Sequence, residues 1–72
     1  MQMTAIFMQC PEGYIGFIEE LPGANTQGAT LEEARLNLRE AVQMVLQANR
    51  DMAQRSIAGQ DVRREPFDLS TS

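Results

Sequence analysis

Leu21-Pro22-Gly23-Ala24-Asn25-Thr26-Gln27-Gly28-Ala29-Thr30-Leu31-Glu32-Glu33-Ala34 is the stretch that decides the fold. Pro22 fixes φ near the value needed at the second position of a tight turn. Gly23 supplies the positive φ that a type II turn requires next. Thr30-Leu31-Glu32-Glu33 has the spacing of a capping box. The Thr30 hydroxyl is placed to accept from the Glu33 amide, and the Glu33 carboxylate to reach back to the Thr30 amide. Losing such a cap costs about 1 kcal/mol, a noticeable share of a small domain's stability. Turn, short extended piece and helix start therefore follow one another within fourteen residues. Pro22, Gly23, Gly28, Thr30 and Glu33 are read as architectural.

Upstream, Met3 to Cys10 alternates with period two. Met3, Ala5 and Phe7 share one side, and Thr4, Ile6, Met8 and Cys10 the other. Both sides are mostly apolar, which suits a central strand covered on both faces. Cys10-Pro11-Glu12-Gly13 reads as a hairpin turn. Tyr14 to Glu20 is then the returning strand, again with no plainly polar face. Ala24 to Gly28 is a short, polar third strand at an edge, where its brevity discourages stray pairing.

Downstream, Leu31, Ala34, Leu38, Ala41, Val45, Ala48 and Met52 recur at alternating steps of three and four, the signature of one apolar helical stripe. The helix is expected from Leu31 to about Met52, fraying towards Ala58. Small Ala41 and Ala48 would let it lie close to a sheet. Leu36 falls on the polar side and Met44 near its boundary. Together they mark an oligomer or partner surface. Arg50 and Arg55 suit a helix C-terminus, and Gly59 is a terminator. Glu65 to Leu69 reads as a last short strand, with Pro66 at its start or on an edge. Ser70 to Ser72 are expected to fray.

The fold class that follows is α+β: a three-stranded antiparallel meander, one long helix on one sheet face, and a short C-terminal strand. One helix covers one face only. The apolar second face of the first two strands calls for another copy or a partner, so a homo-oligomer is expected. The chain of 72 residues is expected to be a single domain, 1–72, with no separate C-terminal DNA-binding domain. So small a chain buries about 60% of its unfolded surface. It has no His and a single Cys10, so neither an internal disulfide nor a structural zinc site can supplement its core.

The formal net charge is −4. This opposes a general nucleic-acid binder and is compatible with a basic protein partner. No apolar run approaches a membrane span, and the N-terminus lacks the basic start and cleavage site of a signal peptide. A cytoplasmic setting is expected, consistent with the unpaired thiol.

Catalysis finds no footing. Without His there is no base for a nucleophilic triad, and Cys10 has no cationic neighbour in sequence. The glycines match neither a phosphate loop nor a dinucleotide fingerprint. Glu19 and Glu20, adjacent at a strand end, point apart unless the strand has already finished, which opposes a shared two-metal site. No cofactor and no enzymatic activity are expected.

The run Gly13-Tyr14-Ile15-Gly16-Phe17-Ile18-Glu19-Glu20-Leu21-Pro22-Gly23, followed by Thr26-Gln27-Gly28-Ala29-Thr30 and Glu32-Glu33-Ala34, resembles the HicB family of bacterial antitoxins. The likeness covers roughly half of the chain. It implies a partial ribonuclease H-like fold whose fourth strand lies parallel to the first. It also implies neutralisation of a HicA-type mRNA-cleaving toxin by direct contact. A ribonuclease must present positive charge to RNA, so an inhibitor would answer it with the acids and amides Glu19, Glu20, Asn25 and Gln27. The alternative is a stand-alone oligomeric adaptor of the same fold with no toxin partner. In a gel shift at physiological salt, duplex DNA should be retained only weakly and without sequence preference by the isolated chain; a specific nanomolar complex would contradict the charge reading.

Overall fold

The computed structural model describes residues 2–68. Its elements are β1 (Ala5–Cys10), β2 (Gly13–Ile18), β3 (Asn25–Gly28) and α1 (Leu31–Ser56). The strands form one antiparallel meander in the order β1-β2-β3. Cys10 pairs with Gly13, so Pro11 and Glu12 alone make the hairpin loop, and Gly13 takes φ 143°. The Ala24 N–H donates to the Leu21 carbonyl at 3.2 Å and Gly23 has φ 93°, the type II geometry expected of Pro-Gly.

The helix start differs from the expected box by one residue. The Thr30 hydroxyl accepts from the Glu33 N–H at 3.1 Å, as foreseen. The Glu33 carboxylate, however, accepts from the Ala29 N–H at 3.2 Å rather than from that of Thr30. Thr30 is extended (φ −124°, ψ 162°), and the chain before it brings the Ala29 amide to the carboxylate. Glu32 and Glu33 also place negative charge at the positive end of the helix dipole.

The helix lies over β3 and β2, and its backbone comes close to the sheet where Ala34 meets Gly28. A methyl on Gly28 would fall 2.6 Å from the Ala34 nitrogen, and Ala34 itself is fully buried. Ala34 thus makes a close contact, while Ala41 is half-buried and Ala48 exposed. The core is Ile18, Ala24 and Leu38, supported by Met3, Phe7, Leu21, Val42 and Val45. On β2, Gly16 makes room for the Phe7 ring. A Cβ there would lie 2.9 Å from two ring carbons.

Two expectations need correcting. β1 is an edge strand, not a central one: among the described residues only β2 pairs with it. Its two apolar faces come from one side turned to the helix and one left open. The last strand is absent from residues 61–68, which carry no regular structure, and Leu69 to Ser72 lie outside the described residues. The helix ends at Ser56, between Met52 and Ala58 as expected. The Ile57 N–H bonds the Ala53 carbonyl at the cap, and Gly59 (φ 78°) serves the turn that follows.

At 26 residues the helix is about 39 Å long, twice the roughly 20 Å of a six-residue strand. Its second half therefore has no sheet beneath it. Residues 47–56 are exposed apart from half-buried Asp51. Gly28→Ala should lower unfolding stability by about 1–3 kcal/mol, because backbone atoms cannot yield to a new methyl as a flexible side chain would. Thr30→Ala should cost about 1 kcal/mol. Urea midpoints at constant m-value measure both.

Candidate functional site

Strand alternation and the hairpin register together build the outer face of the sheet. The cross-strand pairs Ile6–Phe17 and Met8–Ile15 lie side by side on it, away from α1. Beyond them on β3, Asn25 stands opposite Phe17 and Gln27 opposite Ile15. No element among the described residues covers this face. Met8 is 50% exposed and Ile15 38%, while Ile6 and Phe17 shield one another in part. The result is an apolar centre with an amide margin along β3.

The Glu19 N–H donates to the Thr4 carbonyl at 2.9 Å, which extends the β1–β2 ladder by one rung. Alternation then places Glu19 at the end of the same outer row as Ile15 and Phe17. Glu19, Asn25 and Gln27 are thus brought to one surface, although the sequence shows them only as neighbours of a turn. Gln27 also anchors the helix through its backbone, where its carbonyl accepts from Asn37 Nδ2 at 3.0 Å.

Glu20 has a different task. One carboxylate oxygen accepts from the Thr4 N–H and the other from the Thr4 hydroxyl, both at 2.7 Å. It clamps the entry to β1 against the end of β2. These bonds, the backbone one first and the hydroxyl second, hold its pKa below the ordinary glutamate value. Glu20 therefore positions the strand pair while its carboxylate stays at the exposed surface.

Leu36 and Met44 are exposed on the helix at 62% and 72%. They do not join the outer sheet face, since α1 lies on the opposite side of the sheet. Ile6, Met8, Ile15 and Phe17, which form the centre of the patch, were not singled out as site residues from sequence. The signal was there: the two-residue hairpin fixes the register, and the register makes the pairs. Cys10 is a free, partly buried thiol. Among the described residues, no group of three or more His, Cys, Asp or Glu converges where it could hold a metal ion. Nor is any helix long and apolar enough to cross a membrane.

No protein-family model matches the chain, and no solved structure matches it. Among curated proteins, it is similar to a UPF0150 protein of Thermotoga maritima, with 44% identity over 46 residues that cover 61% of either chain. It is also similar to a UPF0150 protein of Synechocystis, 38% identical over 47 residues, covering 64% of this chain and 65% of that one. The chain thus spans less than two thirds of the length of these relatives. Their names assign no activity.

The Thr4–Glu20 clamp has a pH signature. A carboxylate whose folded pKa is depressed stabilises the fold fully above its unfolded value, and that contribution is lost as pH falls through the lower folded value. Thermal midpoints recorded from pH 7 down through the ordinary glutamate value of 4.5 and below should fall for the natural chain. Glu20→Gln should start lower at neutral pH and show a shallower acid limb.

Proposed function

We propose that this protein is a HicB-like antitoxin, a protein-binding module that neutralises a HicA-type RNA-cleaving toxin by direct contact in the cytoplasm. The observation that carries the reading is the open outer sheet face, with Ile6, Met8, Ile15 and Phe17 at its centre and Asn25, Gln27 and Glu19 around them. A patch of this composition suits a docking surface: apolar contacts supply affinity, while acids and amides at the margin supply steering and register.

The net charge of −4 supports a basic partner, and a protein that binds RNA must present a basic surface. The resemblance of residues 13–34 to the HicB pattern supports the particular partner class. The UPF0150 relatives are compatible with this assignment and do not decide it. Glu19, Asn25 and Gln27 stand beside the apolar pairs, and exposed Glu20, held by Thr4, adds its charge at the end of β2.

The test looks for a short basic protein encoded beside this chain, whose absence would favour the adaptor without a toxin. Added in equal amount, the chain should form a complex with it and stop its cleavage of RNA. Ile15→Asp should weaken that complex about tenfold or more, because it buries an unpaired charge at the centre of the contact. Glu19→Gln should slow association and reduce its salt dependence. Undiminished RNA cleavage, or a complex indifferent to both substitutions, would overturn the reading and favour the adaptor without a toxin.

A further inference from the structure

The inner face of β1 is filled unevenly. α1 packs on β3 and β2 and leaves β1, at the edge of the sheet, largely uncovered. Ala5 and Phe7 are the residues of β1 that turn to the helix side there. Ala5 has only a methyl group, and it is exposed. Phe7 stands opposite Gly16 in the β1–β2 register, and its ring lies where a side chain on Gly16 would be. The one large inward side chain of the strand is thereby turned over β2, and the space above β1 itself stays open.

What remains is a trough of about 420 Å³ between β1 and α1. Its floor is Phe7, Ile18, Leu38 and Val42, while Arg35 and Arg39 stand on its rim with Gln43 beside them. Arg35, Leu38, Arg39 and Val42 have the spacing of a single helix face, so cationic and apolar side chains alternate along one wall. The volume lies towards the lower end of the roughly 300–1,000 Å³ that small organic ligands occupy.

The arginines mark what such a ligand must carry. They are one helical turn apart, a spacing at which like charges repel. Both are exposed, and among the described residues no carboxylate forms an ion pair with either. Yet the chain has ten acidic residues and a net charge of −4. An anion seated between the two guanidinium groups would turn their repulsion into attraction, and the planar fork of arginine matches a carboxylate. The floor offers no polar group, so the rest of the ligand must be apolar. An inorganic anion would leave the floor unused, and a neutral hydrocarbon would leave the rim unused.

We propose that the trough binds a medium-chain aliphatic carboxylate, with its head between Arg35 and Arg39 and its chain along Phe7, Leu38 and Val42. Gln43 supplies a neutral amide donor beside the head. The site lies on the opposite side of the sheet from the outer face and does not rest on the antitoxin reading.

Calorimetric titration of the full chain with octanoate tests this, with octanol and acetate as the same tail without the charge and the same charge without the tail. Octanoate should bind saturably, a single molecule per chain, and octanol and acetate each about tenfold more weakly or worse. Arg35→Gln combined with Arg39→Gln should bring octanoate down to the level of octanol, while far-UV circular dichroism keeps its helix signal. Octanoate should shift the methyl resonances of Leu38 and Val42 and leave those of Ile6 and Ile15 in place. Ile15→Asp should not alter octanoate binding, so failure of this site and failure of the toxin contact are read separately. Equal binding of octanoate and octanol would reduce the trough to a non-selective apolar surface and overturn the proposal. So would octanoate binding that survives loss of both arginines, or its refusal because protein fills the trough in solution.

Discussion

The approach of Ala34 to Gly28 governs the rest of the structure. Neither residue carries a side chain beyond one methyl, so helix and strand backbones come within contact distance. The Thr30 cap and the Glu33–Ala29 bond fix the helix start at that point. Once its first turn is pinned over β3, the helix axis can cover β3 and β2 and then run clear of the sheet. The edge position of β1, the trough beside it and the overhang all follow from where that first turn is held.

The two sides of β1 consequently serve different ends. One row of its side chains belongs to the open outer face, in register with β2. The other row, Ala5 and Phe7, looks into the trough beside Leu38 and Val42. A strand apolar on both sides is usually one buried between layers. Here the same pattern belongs to an edge strand, one side of which faces α1 while the other lies on the open sheet face.

That difference explains how far the sequence could be read. Pro22-Gly23, the Thr30 cap and the helical stripe depend on interactions within a few residues, and local chemistry was enough to place them. The Glu33 bond shifted to Ala29 because it depends on how the chain enters the helix, which the box pattern does not specify. The central placement of β1 was inferred from apolarity alone, and apolarity reports burial without naming what buries. The expected last strand around Phe67 rests on alternation, yet a strand needs a ladder, and residues 61–68 carry no regular structure. Of the candidate site, the amides and acids were legible as types. Their assembly with Ile15 and Phe17 emerged only through the hairpin register, and the Thr4 bonds that occupy Glu20 span sixteen residues, beyond the reach of any local pattern.

The helix overhang also bears on how long the protein persists. Of its six basic residues, all arginines, Arg50, Arg55, Arg63 and Arg64 lie on the overhang or the tail, and only Arg35 and Arg39 stand over the sheet. Proteases that cut after arginine need backbone that can leave its helix or strand, and unsupported helix ends and exposed segments open at the least cost. The cleavable bonds are concentrated where nothing packs. Local opening of that stretch therefore governs cleavage more directly than the free energy of global unfolding does.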